Sequence, residues 1–137
     1  MESAYLIPMV TLLVRVLLGV LFFMQGYDKI FKIRIAGVMD VTATPGMERI
    51  FGKNMLRMAI GLSSWAELLG GALLILGFQR DVALILLSAN MLAVGIVFSL
   101  NKPMWNMEFY FPRMAMLVFL AIIPPGWDIW SVDWMMR

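Results

Sequence analysis

Three side chains invite chemistry because they stand where lipid-soluble sequence should have none. Arg15 lies ten residues into an apolar run, Glu67 ten residues into a second, and Asn90 at similar depth in a third. A charge near the centre of a bilayer costs about 2.5–3.5 kcal/mol on insertion scales. Apolar residues return roughly 0.3–0.6 kcal/mol each, so each run tolerates one such residue. If the first two runs are antiparallel helices, equal depth lets the guanidinium and the carboxylate meet. The expectation is a buried polar centre of Arg15, Glu67 and Asn90, with Trp65 and Phe22 packing beside it. Such a centre either fixes helix register as a structural ion pair or orients the polar head of a lipophilic ligand.

The elements that must position these groups follow from composition. The 137 residues are 62% hydrophobic and only 15% charged, far from a soluble domain at about half apolar and a quarter charged. Intrinsic disorder fails on the same numbers. Cysteine and histidine are absent. The chain therefore offers no disulfide, no thiol nucleophile and no His/Cys metal or haem site, and no metal is expected. A formal net charge of +2 makes no case for nucleic acid.

Four apolar stretches approach the roughly 20 residues that cross a bilayer: about 6–26, 58–78, 82–100 and 107–123. They lack the alternation of barrel strands, so residues 1–137 read as one all-α membrane domain, a four-transmembrane-helix antiparallel bundle. Gln79, Arg80 and Asp81 alone join the second and third spans, and Pro124-Pro125-Gly126 closes the fourth. The long first link, about Tyr27 to Arg57, contains a turn at Thr42–Gly46 and a candidate interfacial helix over Met47–Met55. The N-terminal residues lack the basic region of a cleaved signal, so the first span is expected to stay. Counting Lys and Arg places the long link in the cytoplasm and both termini outside.

A secondary polar cluster is expected where the first span ends and the fourth begins: Gln25, Asp28 and Lys29 on one side, Asn101, Glu108 and Arg113 on the other. Arg113 either pairs with Asp28 or snorkels to headgroups. Trp105, Trp127, Trp130 and Trp134 suit membrane interfaces. The fourteen methionines are read as flexible packing, having no regular Met-xx-Met array.

Arg15-xxx-Gly19-xx-Phe22-xxx-Gly26-xx-Lys29 places five residues on one helical face. Glu67-xx-Gly70-Gly71-xx-Leu74-xx-Gly77-Phe78-xx-Asp81 follows in the second span, and Pro125-Gly126-Trp127-Asp128-Ile129-Trp130-Ser131-Val132-Asp133 closes the chain. In this order the three segments resemble the DoxX family. That resemblance implies a four-helix protein of the bacterial inner (cytoplasmic) membrane. It implies kinship with a small subunit of thiosulfate:quinone oxidoreductase, with redox-defence complexes and with maturation of periplasmic dehydrogenases. Where many members carry a histidine near the end of the third helix, this chain has Asn101, which departs from any histidine proton relay.

The leading expectation is a small subunit of a membrane redox or respiratory assembly that helps bind a quinone or another lipophilic ligand. Arg15 and Asn90 would donate to its carbonyl oxygens and Glu67 would handle a proton. Electrons would come from a partner subunit, since catalysis by this chain alone is not expected. The alternative is a non-catalytic structural or assembly subunit. Transport by four short helices is a third class, and it requires oligomerisation. Membrane lipids, other membrane or redox subunits and further copies of the chain are the expected partners.

Overall fold

A computed structural model describes residues 2–100 and 108–137. Asn101, Trp105 and the start of the expected fourth span at Met107 lie outside the described residues. Helix α1 (Glu2–Tyr27) is followed by one π-helical turn (Asp28–Lys32), then α2 (Arg34–Thr42), α3 (Pro45–Phe51), α4 (Lys53–Leu76), α5 (Arg80–Ser99), α6 (Tyr110–Ile122) and α7 (Val132–Met135). No strand occurs among the described residues.

Three helical stretches are long and apolar enough to cross a membrane: residues 4–32, α4 and α5. Helix α6 is apolar but has 13 residues, about 20 Å at the rise of an α-helix, short of a bilayer core. It ends at Ile122 because Pro124 and Pro125 cannot continue it. Around the core, α1 packs on α4, α4 on α5, α5 on α6, and α6 back on α1. Leu18, Phe22, Leu74, Leu87, Leu117 and Leu120 are the fully buried centre of this packing.

The local breaks have local causes. Thr44 caps α3 by accepting from the Met47 amide, and Pro45 opens that helix with a pre-set φ. Gly52, at φ +76°, redirects the chain into α4. The expected interfacial helix over Met47–Met55 is therefore split at Gly52, and α4 begins five residues before the expected Met58. Met39, Met47 and Leu56 form a second apolar cluster that ties α2 and α3 to one end of α4 and α5.

The α1–α4 contact sets the register of the molecule. Gly19 lies against Ile75, Gly71 against Phe23, and Gly26 against Leu68. A Cβ on Gly26 would stand 2.5 Å from the Leu68 amide nitrogen and 2.7 Å from the Ser64 carbonyl. Both are backbone atoms, which cannot swing aside. Gly26→Val should therefore cost about 3 kcal/mol or more through overpacking, whereas Gly61→Ala, with nothing within 4 Å of the new methyl, should be close to neutral. Thermal unfolding of both variants in detergent micelles checks the contrast.

Candidate functional site

The buried charges form two centres rather than one. In the register above, Arg15 is level with the α4–α5 turn and Glu67 with Tyr27. Arg15 thus reaches the carbonyls of Leu74 and Ile75, about 11 Å along α4 from Glu67, where equal depth would place it. The expected Arg15–Glu67 contact does not form.

Arg15 is 1% exposed. Its Nε donates to Asp128 at 3.2 Å, its two Nη atoms to the carbonyls of Leu74 (2.6 Å), Ile75 (2.9 Å) and Trp130 (2.9 Å). Leu74 and Ile75 belong to the last turn of α4, whose carbonyls have no helical partner and carry the negative end of the helix dipole. Four of the five guanidinium protons are used. Gly77, left-handed at φ +65°, lets the guanidinium pass: a Cβ there would stand 2.6 Å from Arg15 Nη1.

Sequence reasoning missed the partners on the C-terminal segment. Asp128 is 2% exposed and lies 3.9 Å from Arg80 Nη1 as well as beside Arg15. Arg80 Nη2 donates to the carbonyls of Leu120 and Ile123, closing the end of α6. Asp133 accepts from the amides of Gln79 (2.8 Å) and Arg80 (2.9 Å), capping α5 from a distant part of the chain. Ser131 caps α7 by accepting from the Trp134 amide. The Asp-xx-Ser-x-Asp pattern of the tail was the available signal. Asp128 and Asp133 fasten this segment to the bundle, while Ser131 braces it internally by donating to the Asp128 carbonyl at 2.7 Å.

The second centre gathers around Glu67, 1% exposed and midway along α4. Lys29 Nζ donates to both carboxylate oxygens, at 2.9 and 2.8 Å, and Asn90 Nδ2 approaches at 3.5 Å. Half-buried Arg113 of α6 adds an electrostatic attraction to the same carboxylate. Lys29 belongs to the π-helical turn, where an i→i+5 bond (Ile33 N to Asp28 O, 2.8 Å) widens the helix. Gln25, one turn earlier, has a buried Oε1 without a hydrogen-bond partner among the described residues.

The structure therefore joins Glu67 and Asn90 to Lys29 and Arg113 of the expected secondary cluster, and moves Arg15 out. Asp28 pairs with Lys32 at 2.8 Å rather than with Arg113. Trp65 does not line this centre. It stands two positions before Glu67 on the helix, a rotation of about 200°, and it is 49% exposed on the outer face. Phe22 is fully enclosed by the apolar core.

The sequence model of the DoxX family matches residues 10–100. The chain belongs to the DoxX family. No curated protein and no solved structure matches it. Lys29, Glu67 and Asn90 of this DoxX protein all fall within the matched segment, as does Arg15. Arg113, Asp128 and Asp133 lie beyond it. With that membership and its apolar helices, the protein is an integral membrane protein.

Chemically, the Glu67 centre sets one carboxylate among two cations and an amide. The cations outnumber the anion, so its unmet demand is for hydrogen-bond acceptors. No group of three or more acidic side chains that would hold a metal ion occurs among the described residues.

Proposed function

We propose that this DoxX protein is a small subunit of a redox assembly in the bacterial cytoplasmic membrane, binding a quinone or similar lipophilic carbonyl compound at the Lys29–Glu67–Asn90 centre. The observation that carries the reading is the placement of these donors around a buried carboxylate midway along α4. A ligand site in lipid is an apolar cleft with few well-placed polar groups, and intramembrane ionisable residues mark function by default. Lys29, 22% exposed at its side chain, keeps a third proton for a carbonyl oxygen. Asn90, held only at 3.5 Å, and Arg113 supply further donors. Glu67 is the group that would exchange a proton when the ring is reduced. The chain has no His or Cys for an electron carrier, so a partner subunit delivers the electrons.

In this reading the chain crosses the membrane four times. The basic end carrying α2 and α3 faces the cytoplasm and both termini face outward. Purification from native membranes in mild detergent, solvent extraction and mass spectrometry should recover an isoprenoid quinone in near-stoichiometric amount. Preparations free of quinone that also bind no added quinone would refute the reading. The alternative, a structural or assembly subunit, draws on Arg15 and Asp128, whose bonds bind the bundle together and leave little for a ligand.

A further inference from the structure

The two ends of the molecule carry different charge. At the α4–α5 end, Arg15 and Arg80 sit with Asp128, while Asp133 caps the turn. At the other end, Arg34, Arg49, Lys53 and Arg57 are all exposed, and none forms an ion pair among the described residues. The carboxylates of α2 and α3 are only Asp40 and Glu48. Exposed apolar side chains stand among these cations: Phe31, Ile33, Val41 and Ile50, between 53% and 87% exposed. The cluster of Met39, Met47 and Leu56 holds both short helices firmly on α4 and α5.

Cations interleaved with exposed apolar groups, on short helices at the end of a membrane domain, match the boundary between anionic headgroups and acyl chains. We propose that residues 31–51, which include α2 and α3, and the first two turns of α4 form a collar that binds anionic phospholipids of the adjoining leaflet. Arg34, Arg49, Lys53 and Arg57 contact the phosphates, and Phe31, Ile33, Val41 and Ile50 enter the acyl boundary. The collar rests on the integral-membrane character of the chain and is independent of quinone binding.

The test uses the full-length protein in a neutral detergent, titrated with phosphatidylglycerol or phosphatidylcholine, with bound lipid counted by native mass spectrometry. Phosphatidylglycerol should bind preferentially. Each removed cation should weaken that binding about fivefold, and R34Q/R49Q/K53Q/R57Q should lose roughly a hundredfold or more. If the fourfold variant does not fold, R34Q/R49Q and K53Q/R57Q should each lose about twenty-five-fold. Glu67→Gln should leave the lipid preference intact, which separates this result from the fate of the quinone reading. Equal binding of the two lipids, or unchanged binding by the charge variants, would overturn the proposal. So would displacement by free glycerol phosphate at matched concentration, or a collar-dependent dimer that binds no lipid.

Discussion

Asp128→Ala is expected to destabilise the folded protein by about 3–5 kcal/mol, the cost of leaving a buried charge without its partner. The carboxylate stands between Arg15 and Arg80, both enclosed. Removing it leaves two cations facing each other across apolar surroundings. It also removes one of the two groups by which Arg15 holds the C-terminal segment, leaving only the Trp130 carbonyl. Arg15→Met alone should cost a comparable amount, because Asp128 then keeps only the distant Arg80. The double variant Arg15→Met/Asp128→Ala should recover much of the loss, since replacing both members of a buried pair by apolar groups is often tolerated. Unfolding of the four proteins in detergent micelles gives the coupling directly. Simple additivity of the two single losses would show that the charges do not act on each other.

The second large effect is expected at the other centre, and on binding rather than on folding. Glu67→Gln should weaken binding of a short-chain quinone at least tenfold, which is about 1.4 kcal/mol. Its stability loss should be well below that of Asp128→Ala, because Lys29 is 22% exposed and its freed ammonium can reach water. Lys29→Met should also weaken binding, by removing the donor nearest the carboxylate, while Lys29→Arg should retain a measurable part. Equilibrium dialysis in detergent separates these outcomes. Variants that keep the affinity of the parent protein would favour a purely structural Glu67–Lys29 pair.

Much of the fold is legible in the sequence because it follows from hydropathy. The spans over 6–26, 58–78 and 82–100 lie within or close to α1, α4 and α5. Helix α2 is not legible: Arg34–Thr42 lies in the polar link, and its one buried side chain, Met39, finds its partners only in three dimensions. The pairing of charges is lost for a different reason. Hydropathy marks where a helix lies in the chain but not how far it slides along its neighbour. That slide is set by Gly19, Gly26 and Gly71, whose missing side chains let α1 and α4 close backbone to backbone. The continuation of α1 through a π-turn to Lys32 carries Lys29 to Glu67, where a helix ending at Gly26 could not. Asp128 is hidden because it follows Pro124-Pro125-Gly126, beyond the last apolar span, where hydropathy gives it no partner. Trp65 is misplaced by closeness in sequence, which on a helix puts it nearly opposite Glu67.

The most direct test of the Glu67 centre as the ligand site is photolabelling of the purified protein with an azido-quinone, followed by peptide mass spectrometry. Labelling should saturate, be displaced by unlabelled quinone, and fall on the segments holding Gln25–Lys29, Glu67 and Asn90. Label concentrated around Arg15, Arg80 and Asp128, or label that unlabelled quinone fails to displace, would contradict it.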